Sequence, residues 1–361
     1  MKKKVCVYAI AKNESQFVDR WVESMKEADL IIVGDTGSTD DTVKKLKKLG
    51  VKVYNIEVNP WRFDKARNMV LDKIPKDVDI CLSVDLDEIA TKGWRKQIEE
   101  YWNDDTTRLK YNYNWSFDEY GNPAVNFLIE KAHSRTGYKW THPVHEILEY
   151  IGDKTEKIDL AEGFDINHYP DKTKSRGNYL PLLELSVEED PEDDRNMHYL
   201  GREYMYYGKW NECIDTLIRH LNLKRATWRD ERSASMRFIA RSYIHLNRLE
   251  EAKMWYQKAI NETPYLREPY VELAQLYYRL EDWANVTLYC KMALEIKTHP
   301  KTYINEPFCW NETIYDLLSL STFYQGNQEE ALEWAKQAVE RAPENERLKN
   351  NYEIIKSSME S

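Results

Sequence analysis

The sequence predicts two regions of different fold class: a mostly parallel, Rossmann-like α/β sheet with an added hairpin over residues 1–175, and an all-α helical repeat region over residues 196–361. In the first region short apolar runs alternate with amphipathic helical stretches. Strand signals stop near residue 196, where a repeated helical pattern begins. An acidic linker or helix at residues 176–195 joins the two. A chain of 361 residues is also too long for one ordinary domain.

Strands and helices alternate up to about residue 85. The predicted strands are VCVYAI (5–10), LIIVG (30–34), VKVYNI (51–56) and DICLSV (79–84), and the predicted helices are 15–28, 38–50 and 62–74. In the second helix Ser38, Thr39 or Asp40 is the expected N-cap, and Gly50 is the expected end. This alternation predicts a mostly parallel sheet with helices on both faces.

A hairpin follows these units. Residues 107–117 (TRLKYNYNWSF) alternate, which puts Leu109, Tyr111, Tyr113 and Trp115 on one predicted face. DEYGNP supplies a turn, and AVNFLIEKA forms the second strand of the hairpin. The pattern predicts two antiparallel strands added to the sheet.

Four similar segments divide the C-terminal region. They are GKWNECI (208–214), NRLEEAK (247–253), EDWANVT (281–287) and GNQEEAL (326–332), spaced by 39, 34 and 45 residues. Ala252, Ala259 and Pro264 recur at the same offsets as Ala331, Ala338 and Pro343. Small residues let paired helices approach, and the 34-residue interval is the tetratricopeptide period. The region therefore resembles a short solenoid of tetratricopeptide repeats.

Composition limits the function classes. The net charge of -10 argues against a nucleic-acid binder that neutralises phosphates. The five cysteines form no CxxC pair, which favours reduced core thiols in a cytoplasmic protein. No run is long enough for a transmembrane segment, and the apolar stretch after the N-terminal lysines is too short for a signal peptide.

Asp85, Asp87 and Glu88 follow the fourth predicted strand directly. Ligands of parallel sheets bind at the carboxyl ends of strands. In an extended chain residues i and i+2 point the same way, so Asp85 and Asp87 are expected to face one cleft. Their repulsion would be relieved by Mg²⁺ or Mn²⁺ bridging a diphosphate. The alternative is a solvated turn or an N-cap cluster before a helix at 93–102.

Other polar residues are expected at the same edge of the sheet. The first strand ends in AKNE (11–14) and the second in GDTGSTDDT (34–42). Glu14 and Asp35 can accept hydrogen bonds from a base and a ribose, and Arg67 can reach phosphate oxygens. The alternatives are helix capping for the GSTDDT stretch and a surface salt bridge for Arg67. The chain has neither GxGxxG nor a Walker A loop.

The ordered motifs AKNE, GDTGSTDDT, WRFDKARN and VDLDE resemble the family 2 glycosyltransferases with the GT-A fold, especially those with tetratricopeptide repeats behind the catalytic domain. The resemblance implies a nucleoside-diphosphate-sugar donor, usually UDP-linked, a Mn²⁺ or Mg²⁺ ion, and hexosyl or N-acetylhexosaminyl transfer. It also implies donor-binding residues at Ala11, Asn13, Glu14, Asp35, Arg67 and Asp85, and metal ligands at Asp85 and Asp87.

The resemblance carries further expectations for the end of the first region. An inverting enzyme needs a base that takes the acceptor proton. Where the family often has an ED-like pair, this chain has His145-Glu146, so Glu146 is the candidate base, with His145 beside it. His168 is the candidate third metal ligand by position. Lys174 and Arg176 would fold over the diphosphate; the alternative is a charged loop.

The acceptor remains open between a peptide or protein held by the repeats, a saccharide and a glycolipid head group. The repeats are also a candidate homodimer surface. Trp61, Trp115, Tyr138 and Trp140 are candidate sugar platforms, of which at least half are expected in the core. The rival hypotheses are an inactive interaction scaffold and a sugar nucleotidyltransferase. The latter requires a glycine-rich loop after the first strand, which AKNESQ lacks.

Overall fold

The computed structural model describes residues 3–171, 177 and 179–359. These form two compact units. The first unit comprises residues up to Glu189 together with Lys301–Tyr303, and the second unit comprises Asp190–Pro300 and Ile304–Ser361.

The first unit is built on an eight-stranded sheet in the order β3-β2-β1-β4-β7-β6-β10-β5, with a separate two-stranded sheet β8-β9. The strands are β1 Val5–Ala11, β2 Leu30–Asp35, β3 Lys52–Asn55, β4 Ile80–Ser83, β5 Glu88–Ala90, β6 Arg108–Phe117, β7 Pro123–Ser134, β8 Tyr138–Thr141, β9 Ile147–Tyr150 and β10 Ile158–His168. The helices are α1 Val18–Met25, α2 Thr42–Lys48, α3 Phe63–Leu71, α4 Trp94–Tyr101 and α5 Tyr179–Glu189.

The predicted α/β class is confirmed. Strand β1 pairs in parallel with both β2 and β4, and β2 pairs in parallel with β3. The hairpin β6-β7 joins this sheet because β7 runs antiparallel to β4. Since β1, β2 and β4 point the same way, the residues after them meet at one edge of the sheet.

Two local predictions in this unit are wrong. Helix α2 begins at Thr42, and neither Ser38, Thr39 nor Asp40 is its N-cap; Asp40 instead accepts from the Thr42 backbone within a turn. The alternation of β6 breaks at a bulge near Asn114, so Asn114 is buried while Trp115 is 48% exposed. A bulge adds one residue to one strand and redirects the side chains beyond it.

Strand β10 was not expected from the sequence. It pairs in parallel with β6 and antiparallel with the short strand β5, and this register sets His168 opposite Glu88. Residues 165–168 alternate polar and apolar side chains only briefly, so periodicity gave little signal.

The second unit is all-helical. Its helices are α6 Asp194–Tyr206, α7 Trp210–Asn222, α8 Arg229–His245, α9 Leu249–Glu262, α10 Glu268–Arg279, α11 Trp283–Glu295, α12 Thr313–Tyr324, α13 Gln328–Arg341 and α14 Glu346–Ser358, with a short 3₁₀ helix at Pro307–Cys309.

The four segments found in the sequence are the turns within successive helix pairs. The first residue of each has a positive φ: Gly208, Asn247, Glu281 and Gly326 at 69°, 56°, 56° and 80°. Glycine and asparagine tolerate this left-handed conformation best, which explains why three of the four positions carry them. Ala252, Ala259, Ala331 and Ala338 are buried, as close helix packing requires. The predicted helical repeats are confirmed.

The five cysteines are free and buried, as predicted. Within the described residues, none of the helices has the length and apolar character that crossing a membrane requires.

Candidate functional site

A turn after β4 carries the three clustered carboxylates. The Glu88 N–H donates to the Asp85 carbonyl across 3.0 Å, so residues 85–88 form a tight turn. The expectation that Asp85 and Asp87 share a direction because the chain is extended is therefore wrong. The turn instead sends the two carboxylates to different partners.

Arg67 lies at the centre of the site. Helix α3 holds it 5% exposed, and its guanidinium grips Asp85 with two bonds, Nη1 to Oδ1 at 2.8 Å and Nη2 to Oδ2 at 2.9 Å. Its Nε donates to Glu146, and its charge lies over the Trp140 ring at 5.0 Å. The surface salt bridge considered for Arg67 is thus wrong. Burial alone would raise the pKa of Asp85, but the charges of Arg67 and Lys131 lower it below its usual value.

Glu88 is enclosed by donors. Its Oε1 accepts from the Tyr113 hydroxyl at 2.7 Å, and its Oε2 accepts from the Asp85 N–H at 2.8 Å. The Lys131 ammonium lies 3.7 Å from both Glu88 and Asp85. Burial raises the pKa of Glu88, and neighbouring Asp85 adds to that shift. Glu88 therefore fixes the turn that presents the two aspartates.

Asp87 and His168 face each other across 3.5 Å, from Oδ2 to Nε2. The other ring nitrogen of His168, Nδ1, lies 3.1 Å from the Trp115 carbonyl, which can only accept. Nδ1 therefore carries a proton, and in neutral His168 the Nε2 lone pair points at Asp87. Burial disfavours the imidazolium, yet the interaction with Asp87 raises the pKa of His168 overall.

This site fits a divalent cation on charge as well as donor type. Among the residues that the structure describes, its four carboxylates are Asp85, Asp87, Glu88 and Glu146, and its two permanent cations are Arg67 and Lys131. The excess of two negative charges equals the charge of one Mg²⁺ or Mn²⁺. Carboxylate oxygens suit both ions, and imidazole also suits transition metals such as Mn²⁺. Asp87 and His168 are the most available ligands, because both oxygens of Asp85 already accept from Arg67.

The residues predicted at the nucleoside lie together in the loops after β1 and β2. Ala11 pairs with Asp35 in the strand register. Asp35 is 5% exposed and accepts from the Gly37 N–H at 3.1 Å, while Asn13, at φ 56°, accepts from the Thr39 N–H at 2.7 Å. Glu14 is 9% exposed beside them. These bonds stiffen the two loops, and whether they bind a nucleoside stays a prediction.

The candidate base Glu146 is tied to Arg67, so it must leave that ion pair before it can take a proton from an acceptor. His145 has a φ of 51°, and its ring centroid lies 5.7 Å from that of Tyr179. Lys174 and Arg176 fall outside the described residues, so their predicted contact with the diphosphate stays a prediction.

The four aromatic candidates divide as expected. Trp140 and Tyr138 are core residues, 1% and 6% exposed. Trp61 is half-buried against Phe63. Trp115 is exposed and stacks on His168 with ring centroids 4.5 Å apart. Sequence reasoning missed Lys131 and Tyr113 at the site, because no motif marks them and only the strand register brings them to Glu88.

Residues 6–146 match the family model of glycosyl transferase family 2, and residues 238–265 match that of the tetratricopeptide repeat. An uncharacterized glycosyltransferase of Rickettsia bellii is 36% identical over 100 residues, which cover 27% of this chain and 33% of that protein. One from Rickettsia conorii is 35% identical over 100 residues, covering 27% and 34%. The chain thus spans about a third of the length of these two relatives. One from Rickettsia typhi is 22% identical over 258 residues, covering 71% of this chain and 76% of that protein.

Solved structures also resemble the chain. The crystal structure of MamA protein is 17% identical and has a TM-score of 0.37, covering 46% of this chain and 81% of that chain. A thermophilic TPR protein of Thermus thermophilus is 20% identical and has a TM-score of 0.35, covering 49% and 88%. At these values the likeness says nothing of what this chain binds. The chain is thus similar to glycosyl transferase family 2 over residues 6–146 and to tetratricopeptide repeats over residues 238–265.

Proposed function

We propose that the chain transfers a hexosyl or N-acetylhexosaminyl group from a nucleoside-diphosphate donor, most simply a UDP-sugar, in a reaction that depends on Mn²⁺ or Mg²⁺. The observation that carries the proposal is the buried Arg67 held between Asp85 and Glu146, next to the Asp87–His168 pair at the strand ends. A buried guanidinium beside a partly exposed aspartate and a buried histidine, both metal-type ligands, suits a diphosphate and its counter-ion.

Each group then has a role in this proposal. Asp87 and His168 would hold the ion, and Asp85 would share an oxygen with it while anchoring Arg67. When bound, the ion would act as a Lewis acid that stabilises the charge of the leaving diphosphate. Arg67 would add hydrogen bonds to phosphate oxygens, and Asp35 and Glu14 would orient the ribose and base.

The proposed acceptor step is inverting and uses Glu146 as base. Arg67 holds Asp85 with two bonds but Glu146 with one, so the contact with Glu146 is the easier one to give up. A phosphate oxygen that engages Nε of Arg67 would leave Glu146 able to accept the acceptor proton. Donor binding would thus precede activation of the acceptor.

The acceptor proposed is a peptide or protein segment held by the helical repeats, with a saccharide as the alternative. Stacked helix pairs form concave surfaces that bind extended partners. An additional role of the repeats in homodimer formation is a separate proposal, which sedimentation of the purified chain would test.

The experiment is a thermal-shift screen of UDP-, GDP- and dTDP-sugars with and without Mn²⁺, followed by a hydrolysis assay with the donor that binds. A ligand that binds the folded chain raises its melting temperature. We expect one nucleotide class to do so only with Mn²⁺, and Asp87→Asn to abolish the shift. Asp104→Asn changes an exposed carboxylate and is the matched control. Binding without hydrolysis or transfer would support the inactive scaffold, and no shift with any donor would refute the proposal.

A further inference from the structure

Three helices of the second unit bring a second set of possible metal ligands together. Asp194 is the first residue of α6, His220 lies in the last turn of α7, and Glu231 lies in the first turn of α8. One donor atom from each lies within 4.8 Å of the other two. His220 and Glu231 are buried, at 0% and 4% exposure, and Asp194 is half-buried.

The ring of His220 points into this cluster. Its Nε2 is inaccessible to solvent and has no hydrogen-bond partner in the part of the chain that the structure describes. The nearby carboxylate oxygen, Oε1 of Glu231, is 3.5 Å away, which is too long for a good hydrogen bond. A buried nitrogen without a hydrogen-bond partner is costly in free energy unless another atom lies between Nε2 of His220 and Oε1 of Glu231.

The other side of the ring is already held. Ser235 Oγ lies 3.0 Å from His220 Nδ1 and 2.8 Å from His198 Nδ1. A hydroxyl has one hydrogen to donate, so it can donate to one of the two rings and accept from the other. When it accepts from His220, the Nε2 lone pair of that residue faces Glu231. Such support of a ring from behind is characteristic of metal-binding histidines.

Asp194 and Glu231 bring two carboxylates into the same cluster as the buried Nε2 of His220. A divalent cation held between them would offset their mutual repulsion.

We propose that Asp194, His220 and Glu231 form a divalent transition-metal site, of the zinc type, that ties the first three helices of the second unit together. Zinc accepts one imidazole and two carboxylates, and a water can complete four ligands. With bonds of about 2.0–2.2 Å, ligand atoms around a tetrahedral ion lie about 3.4 Å apart. The 3.5 Å from Nε2 to Oε1 matches this spacing, and the third ligand needs to move by on the order of 1 Å. The half-buried Asp194 marks the side from which the ion enters.

The inference does not rest on the proposed function, because Asp194, His220 and Glu231 all belong to the second unit. It also differs from the plain alternative, in which a proton on His220 Nε2 forms an ion pair with Glu231. The two differ in one measurable respect: only the metal site binds a stoichiometric ion.

The test is equilibrium dialysis of the full chain, stripped with EDTA, against low micromolar Zn²⁺, with bound metal counted by elemental analysis. All chains carry Asp87→Asn, so that the ligands of the first unit do not obscure the count. We expect one zinc per chain, retained by the added control His245→Gln, which changes an exposed histidine at the end of α8. We expect a loss of at least tenfold in affinity with His220→Gln.

If His220→Gln does not fold, Asp194→Asn becomes the deciding variant. It keeps the shape of the half-buried first residue of α6. The expected result is again a weaker zinc site, with an unchanged circular dichroism spectrum. If the Asp87→Asn chain binds no zinc, or binds it equally well after Asp194→Asn, the proposed site is overturned.

Discussion

Each unit buries a network of arginine and carboxylate side chains. We call the network of the second unit closed, because its carboxylates accept from arginines, and that of the first unit open, because Asp87 faces a histidine instead. In the second unit Arg237 and Arg241 both donate to Glu272, at 2.5 Å and 2.8 Å, and Arg241 also donates to Glu306 at 2.6 Å. The side chains of Arg237 and Glu272 are 1% and 3% exposed. In the first unit, Arg67 and Asp85 are paired equally closely, but Asp87 retains 24% exposure and faces His168 across a 3.5 Å gap.

The difference separates a structural network from a site. In the second unit both carboxylates, Glu272 and Glu306, accept from arginine side chains, and these bonds hold helices together. Where carboxylates exceed cations and one pair remains open, the structure has the means to bind a cation. A buried arginine is therefore informative only together with the charges around it.

Replacing the central arginine of each network gives the largest expected effect. Arg67→Met leaves Asp85 and Glu146 without their guanidinium partner, which costs about 3–5 kcal/mol of unfolding free energy. Arg237→Met should cost less, because Glu272 keeps two bonds from Arg241. Urea titration would measure both losses. Only Arg67→Met is expected to abolish binding of the nucleotide-sugar as well. If Arg237→Met, assayed where it is folded, lost donor binding to the same degree, the distinction between the two networks would fail.

Acid should weaken the closed network in a defined pH window. Burial alone would raise the pKa of Glu272, but Arg241 and Arg237 override it and lower the pKa to about 2. Because the folded value lies below the ordinary 4.5, the stabilisation is complete above about pH 4.5 and is lost as the pH falls towards 2. The contribution at neutral pH is on the order of 3 kcal/mol.

Urea titrations between pH 7 and pH 3 would measure this contribution, with Glu272→Gln as the comparison chain. The gap in stability between the two chains should shrink as the pH falls. A gap of constant size would mean that the Glu272 carboxylate titrates in the folded chain as it does in the unfolded one.

Both folds and the edge of the sheet that carries the site could be predicted from the sequence, because they depend on the order of residues along the chain. Apolar runs and the four repeated segments specified both folds, and the position of Asp85 and Asp87 after β4 specified the edge of the sheet. The partners of these residues could not be read in the same way. Lys131 and Tyr113 reach Glu88 only through the register of β6 and β7, and the extended geometry assumed for Asp85 and Asp87 is replaced by a turn.

The second cluster shows the same limit. Asp194, His220 and Glu231 lie on three helices and form no motif, so only the packing of α6, α7 and α8 brings them together. His168 lies opposite Glu88 and faces Asp87, whereas its strand, β10, is not recognisable from the sequence. Local patterns thus identify elements, whereas contacts between distant elements need the tertiary structure.

Removing the charge of Asp87 should affect the proposed reaction more than the stability of the fold. Asp87→Asn keeps the size of the side chain but removes one charged ligand, and we expect kcat/KM for sugar transfer to fall by on the order of 100-fold or more. The melting temperature without metal should change little, since Asp87 is partly exposed. A Mn²⁺ titration of activity, with Asp104→Asn as control, would measure the effect, and unchanged Mn²⁺ dependence would remove Asp87 from the site.

The smallest expected effect concerns how firmly His168 is held beside Asp87. The exposed Trp115 ring stacks on His168, while the Trp115 carbonyl, which a side-chain substitution keeps, orients His168 Nδ1. Trp115→Ala should therefore remove only the stacking energy, about 0.5–1.5 kcal/mol, and weaken the apparent affinity for Mn²⁺ by about 2- to 10-fold. If Trp115 instead serves as a sugar platform, Trp115→Ala should raise the KM for the donor or acceptor at saturating Mn²⁺. Measuring both quantities in Trp115→Ala and Trp115→Phe separates the two roles, because phenylalanine retains a stacking face. If Mn²⁺ affinity is unchanged in both variants, His168 is positioned by its strand and the Trp115 carbonyl alone.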